Sequence, residues 1–133
     1  MLADALFHHV GIATKSIEKT ALLYVEAGYR MQPTVFDPRQ NVKISFLEKQ
    51  GSPLLELVEP VDDTSPVCNI INKVGVSAYH FCYEVSNIEE SIAQLKEKKF
   101  VLLVKPVEAV AFNGRKISFL YHQDTGLIEL LEK

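Results

Sequence analysis

Two cysteines in 133 residues are too few for a disulfide framework. Cys68 and Cys82 are therefore read as thiols of a reducing compartment, with Cys82 in a strand core. A basic excess is missing too. Fourteen Lys and Arg stand against seventeen Asp and Glu, giving a net charge of -3 and a pI of about 5.8. Such a surface lacks the electrostatic footprint of a nucleic-acid binder. The apolar runs are too short to span a bilayer, and no charged-apolar-cleavage pattern opens the chain. The expectation is no membrane span, no secretory leader and a cytoplasmic location. What is present is an ordinary globular balance, 47% apolar and 23% charged, with length for one domain that buries its own core.

The pentapeptide KISFL occurs twice, at residues 43–47 and 116–120, an offset of 73. Matching features extend beyond it. His9 opens HVGIA and His80 opens HFCYEV, 71 apart, and eight residues after each comes an isoleucine-acid pair, Ile17-Glu18 and Ile88-Glu89. Thirteen residues after each KISFL lysine stands an acid, Glu56 in LLELVEP and Glu129 in LIELLEK. One unit of roughly seventy residues is written twice, with a two-residue length change in the middle.

Each copy reads as βαβββ. A first strand follows each His, over residues 10–13 and 81–85. In the first helix Ile17, Ala21, Tyr24, Val25 and Gly28 recur at threes and fours, with Ser16 as N-cap and Gly28 as stop. In the second, Ser86 and Glu89 suit a capping box ahead of the stripe Ile88, Ile92 and Leu95. Three strands follow in each copy: residues 30–35, 42–49 and 54–59, then 101–104, 115–121 and 127–131. The expected fold is α+β: two tandem βαβββ modules forming an open cupped β-sheet with helices outside. It is one domain, residues 1–133, with modules at about 6–60 and 77–133 and a linker at about 61–76 containing a short helix. A hairpin at Gly51-Ser52-Pro53 puts Leu47 across from Glu56. Ser45 and Leu47 would then share the Glu56 face, with Ile44 and Phe46 against the helix. The same reasoning puts Ser118 and Leu120 with Glu129.

His9, Glu56, His80 and Glu129 hold equivalent places, each His at the start of a first strand and each Glu in a last strand. Packed about a pseudo-two-fold axis, they form an N2O2 set suited to a divalent first-row metal, with nickel, cobalt, manganese and zinc all acceptable. Taken singly, a strand-start His is more often structural, and one acid of ELVE or ELLE can be a solvent-facing residue. The matched duplication favours the shared site. His8 lacks a partner under the 71 offset, and His122 lacks one under 73, so His122 is read as a loop residue.

The segments HHVGIAT, LLELVEP, YHFCYEV and GLIELLEK resemble the vicinal oxygen chelate superfamily over nearly the whole chain. Within it the likeness is closest to methylmalonyl-CoA epimerases, with small bacterial glyoxalase I proteins nearly as close. The resemblance implies metal ligands at His9, Glu56, His80 and Glu129, and a homodimer as a family expectation. It implies a metal-dependent isomerase or epimerase that moves a proton alpha to a carbonyl, on an acyl-CoA thioester or a hemithioacetal. Glu129 takes the role of base, and Glu56 that of ligand and partner base. Epimerases place an extra carboxylate on the middle strand of the first module, whereas residues 42–46 here contain none. The alternatives are a glyoxalase I (lactoylglutathione lyase) type isomerisation and a non-catalytic small-molecule binder. Lys43, Lys116, Arg115 and Arg39 are candidates for contacts to CoA phosphates, against a background of ordinary solvated charge.

Overall fold

The structure is a computed structural model that describes residues 2–133. Two compact units emerge: residues 9–79, and residues 80–133 together with the segment before His9. Nine strands and three α-helices occur among the described residues.

In the unit of residues 9–79, β1 (Leu6–Ala13) leads through Ser16 into α1 (Ile17–Glu26). β2 (Arg30–Met31), β3 (Val35–Asp37), β4 (Val42–Glu48) and β5 (Leu55–Pro60) follow, and α2 (Val67–Val74) ends the run. β2 and β3 both pair antiparallel with β4, β4 pairs antiparallel with β5, and β5 pairs parallel with β1. The core lies between α1 and one sheet face, formed by Ile12, Ile17, Ala21, Leu47, Leu55 and Leu57. Val25, expected on the apolar stripe, is 44% exposed, because Tyr24 and Tyr29 close that end of the core instead.

In the other unit, β6 (Ser77–Val85) leads into α3 (Ile88–Glu97), followed by β7 (Val101–Glu108), a short 3-10 turn, β8 (Lys116–His122) and β9 (Gly126–Glu132). β6 pairs parallel with β9, β9 antiparallel with β8, and β8 antiparallel with β7. Val85, Ile88, Ile92, Leu95, Phe100, Leu120, Ile128 and Leu130 make its core, with Leu2 and Ala5 packed against it. The α+β class and the βαβββ order are as expected.

Several local expectations change. Each His lies inside its strand, since β1 already begins at Leu6 and β6 at Ser77; no glycine or proline interrupts the residues ahead of either His. The second helix is capped by Asn87, whose side chain accepts from Glu90 N at 3.0 Å, and not by Ser86. Asn87 is the residue that matches Ser16, which accepts from Lys19 N at 3.2 Å. His122 ends β8 and is no loop residue; its Nδ1 accepts from Asp124 N and its ring lies 4.9 Å from that of Phe100. The long run expected at 30–35 splits into β2 and β3, whereas β7 extends to Glu108.

The second acid of each last strand does a structural job. Glu59 Oε1 accepts from Ile17 N at 2.7 Å, and Glu132 Oε2 accepts from Ile88 N at 2.9 Å. Each satisfies an orphan donor at a helix N-terminus, where negative charge is favoured. The sheet is thereby tied to its helix in both units. Both KISFL serines are fully buried and donate to carbonyls of the neighbouring segment: Ser45 to Gln32 at 2.8 Å, Ser118 to Val104 at 2.7 Å.

The two-residue length change is placed by the pairing. From Leu102↔Leu120 to Val107↔Ile117 the register slips twice, so β7 uses five steps against three on β8. From Met31↔Leu47 to Val35↔Ile44 the first unit uses four steps against three. The Phe36↔Lys43 pair encloses six residues and the Glu108↔Lys116 pair seven. One extra residue is thus a bulge in β7 and the other sits in the adjoining turn.

Both α1 and α3 end in the same six-residue closure, with Tyr29 N donating to Tyr24 O at 3.0 Å and Phe100 N to Leu95 O at 3.1 Å. The left-handed position in the first is Gly28 (φ 98°); in the second it is Lys99 (φ 72°). A side chain there carries a steric penalty that glycine avoids. Lys99→Gly should therefore stabilise the protein by about 1 kcal/mol, read from urea unfolding midpoints, whereas Gly28→Lys should destabilise it by a similar amount.

Arg115 is spoken for within its unit. Its Nε donates to Glu132 O at 2.8 Å and its guanidinium pairs with Glu84. That hydrogen bond holds the Glu84 carboxyl below its ordinary value of 4.5. In the window just below pH 4.5 the unfolded chain binds this proton and the folded chain does not. The stabilisation is therefore complete above that window and disappears as pH falls through the lowered folded value. Glu84→Gln should flatten the acid limb of a stability-against-pH curve and leave its slope near neutral pH unchanged.

Candidate metal centre

The parallel pairing of β1 with β5 sets Gly11 beside Glu56, and that of β6 with β9 sets Cys82 beside Glu129. His9 is two residues from Gly11, and His80 two from Cys82, so in each unit imidazole and carboxylate lie on one sheet face. The opposite faces carry Val10, Ile12, Leu55 and Leu57 toward α1, and Val85, Ile128 and Leu130 toward α3. The side toward α1 and α3 is apolar, which leaves the histidines and glutamates on the side facing away from those two helices.

The two pairs have nearly the same geometry. His9 Nε2 lies 3.4 Å from Glu56 Oε1, and His80 Nε2 lies 3.2 Å from Glu129 Oε1. All four side chains are at most 4% exposed. Around the first pair stand Ile44, Phe46 and Val58; around the second, at an offset of 73, stand Ile117, Phe119 and Leu131. A buried carboxylate with apolar neighbours is costly unless a cation or a donor stands beside it.

The donor set fits a divalent metal ion. Imidazole nitrogen and carboxylate oxygen are its ordinary ligands. Two donors each about 2.1 Å from one ion stand about 3.0 Å apart at a right angle and about 3.4 Å apart at the tetrahedral angle. The separations of 3.4 and 3.2 Å in the two units lie within that span.

The expected register of KISFL is overturned. Phe46, not Leu47, pairs with Glu56, and Phe119 pairs with Glu129. The loop between Leu47 and Leu55 turns through Ser52 N donating to Lys49 O, and it encloses one residue fewer than the proline-centred turn implied. A one-residue slip inverts every side chain. Hence Ser45 and Leu47 point to the helix, while Ile44 and Phe46 share the ligand face; Ser118 and Leu120 exchange places with Ile117 and Phe119 likewise. The rings of Phe46 and His9 meet edge to face, with centroids 5.8 Å apart, as do those of Phe119 and His80, 5.2 Å apart. These two phenylalanines are what sequence reasoning missed. The signal was present, because both fall within the repeat and one residue of register separates them from their true neighbours.

The remaining candidates fall outside this arrangement. His8, on the opposite face from His9, packs edge to face on Phe112. Lys43 Nζ is 3.8 Å from Glu59 Oε2, and Arg115 is held by Glu84 and Glu132. Cys82 is fully buried and Cys68 half-buried, and neither is in a disulfide. On β4 the ligand face carries Ile44 and Phe46 and then Glu48, which is 45% exposed and hydrogen-bonded to Arg30 at 2.6 Å. Among the described residues no helix is long and apolar enough to cross a membrane.

Residues 8–119 match the Glyoxalase/Bleomycin resistance protein/Dioxygenase superfamily, and the chain belongs to that family. It is 33% identical over 128 residues to the mitochondrial methylmalonyl-CoA epimerase of Homo sapiens, covering 92% of this chain and 71% of that protein. Among solved structures it is similar to a hypothetical protein from Bacillus halodurans C-125, with a TM-score of 0.85, 32% identity, and coverage of 98% of this chain and 95% of that one. The methylmalonyl-CoA epimerase of Mycobacterium tuberculosis shares the fold, with a TM-score of 0.84 at 24% identity over 99% of this chain and 92% of that one.

Proposed function

We propose that the protein is a divalent-metal-dependent epimerase that moves a proton alpha to the carbonyl of an acyl-CoA thioester, most like methylmalonyl-CoA epimerase. The observation that carries this reading is the duplicated, buried His–Glu pair, His9 with Glu56 and His80 with Glu129, in a chain one-third identical to such an epimerase. The four side chains together would hold one metal ion. When bound, that ion supplies Lewis acidity at the substrate carbonyl oxygen, where negative charge develops as the proton leaves.

The chain's own groups then divide the proton work. Inverting a carbon centre needs a proton removed from one face and a proton returned to the other. A carboxylate oxygen of Glu129 takes the alpha proton: the C–H bond breaks, an O–H bond forms, and the electron pair remains on the substrate. Glu56, having left the ligand set and in protonated form, would return a proton to the opposite face. The further acid that β4 brings to this face, beyond Ile44 and Phe46, is Glu48, which is half-exposed and held by Arg30. The two pairs are alike enough to exchange roles when the reaction runs in reverse. The apolar residues beside each pair exclude water, which strengthens every charge interaction there.

Two measurements test this. In deuterated water the protein should wash deuterium into methylmalonyl-CoA, and strong chelation should abolish the exchange. Full activity after complete metal removal sinks the proposal, and exchange into the glutathione hemithioacetal of methylglyoxal alone shifts it to a glyoxalase I reaction. Separately, Glu129→Gln should lower the epimerisation rate by about 10²-fold or more. A variant that epimerises at the wild-type rate contradicts the base assignment.

A further inference from the structure

We propose that Phe46 and Phe119 are positioning residues that fix the imidazole planes of His9 and His80 for metal binding, a role that rests on the reading of those histidines as ligands. The torsion that turns an imidazole about its Cβ–Cγ bond is soft, with broad minima. Nε2 lies off that axis, so free rotation swings the donor away from any ion it is to bind. Something must hold the ring, and hydrogen bonding from a neighbouring group is the commoner device. Here each imidazole also has an aromatic ring set across it, at 76° for Phe46 on His9 and 85° for Phe119 on His80. The centroid separations of 5.8 and 5.2 Å fall in the favourable range for edge-to-face pairs.

Three features separate this role from filling space. Each phenylalanine stands directly across the ladder from the carboxylate that partners its histidine, so it borders both donors of its pair. Both rings stay partly exposed, although Ile44 and Ile117 on the same faces are closed from water. A residue chosen only to fill a core has no reason to leave an aromatic edge in solvent. The contact is also repeated in both units, with His at an offset of 71 and Phe at 73, so it accompanies the histidines through the duplication.

The test measures the metal alone. Co²⁺ is titrated into the intact protein and followed by calorimetry and by the visible absorption of the bound ion, for the wild type, Phe46→Leu, Phe119→Leu and the double variant. Each single change should weaken Co²⁺ binding by about threefold to tenfold, the double should lose the product, and the absorption bands should shift. Phe46→Tyr and Phe119→Tyr, which keep the ring, should bind near the wild-type level. Phe→Met at the same positions removes the ring and puts a flexible apolar side chain in its place, and serves if a leucine variant does not fold. Wild-type affinity and an unchanged spectrum in the ring-less variants overturn the positioning role, even if the metal-free thermal midpoint falls. Absence of Co²⁺ binding by the wild type instead overturns the ligand reading and the positioning role with it.

Discussion

Everything about this fold that matters for chemistry depends on burying a carboxylate beside an imidazole. Glu56 and Glu129 are almost wholly withdrawn from water, each within about a hydrogen-bond length of a histidine Nε2. Such burial is unfavourable in isolation. It is sustained because the strands around it are fixed on their other face by two apolar cores under α1 and α3. The parallel β1–β5 and β6–β9 pairings then bring His and Glu to one side without any choice left to the side chains. The cores supply stability, and the faces turned away from α1 and α3 concentrate the polar cost.

A second level of order holds each core to its His–Glu pair. The strand that carries Glu56 also carries Glu59, and the strand with Glu129 carries Glu132. Three residues apart on a strand, the two acids of each set face opposite sides. One enters the ligand face and the other reaches the first amide of the helix. A single short motif, E-x-x-E, thus places a carboxylate beside the histidine and anchors the helix behind it. Tilting the last strand would disturb both at once.

Much of this is legible in the sequence. The offsets of 71 and 73 mark the duplication, the matched histidines and glutamates that prove to be buried in pairs, and the βαβββ order, because a duplicated pattern checks itself. Ser16 was legible as a cap because serine at a helix start has a local chemical reason. Its counterpart Asn87 stands at the same offset, but the S-x-x-E motif beginning at Ser86 offers a competing cap one residue earlier. The facing of KISFL was the larger error. Strand alternation has a period of two, so a loop one residue shorter exchanges the buried and ligand faces completely, and turn composition does not fix loop length to one residue. Where the chain's long-range pairing decides the outcome, local pattern carries no information about it. The split of β2 from β3 and the length of β7 belong to the same class.

The two extra residues of the second unit lie in the β7 bulge and the neighbouring turn, at the far end of a ladder that runs β9, β8, β7. The strands that bear His80 and Glu129 keep the same register relations as their counterparts in the first unit. Length variation is therefore confined to the periphery, two ladders away from the donors. A unit built this way can gain or lose residues in its outer strand and turn, while the paired strands that bear its histidine and glutamate keep an unaltered register.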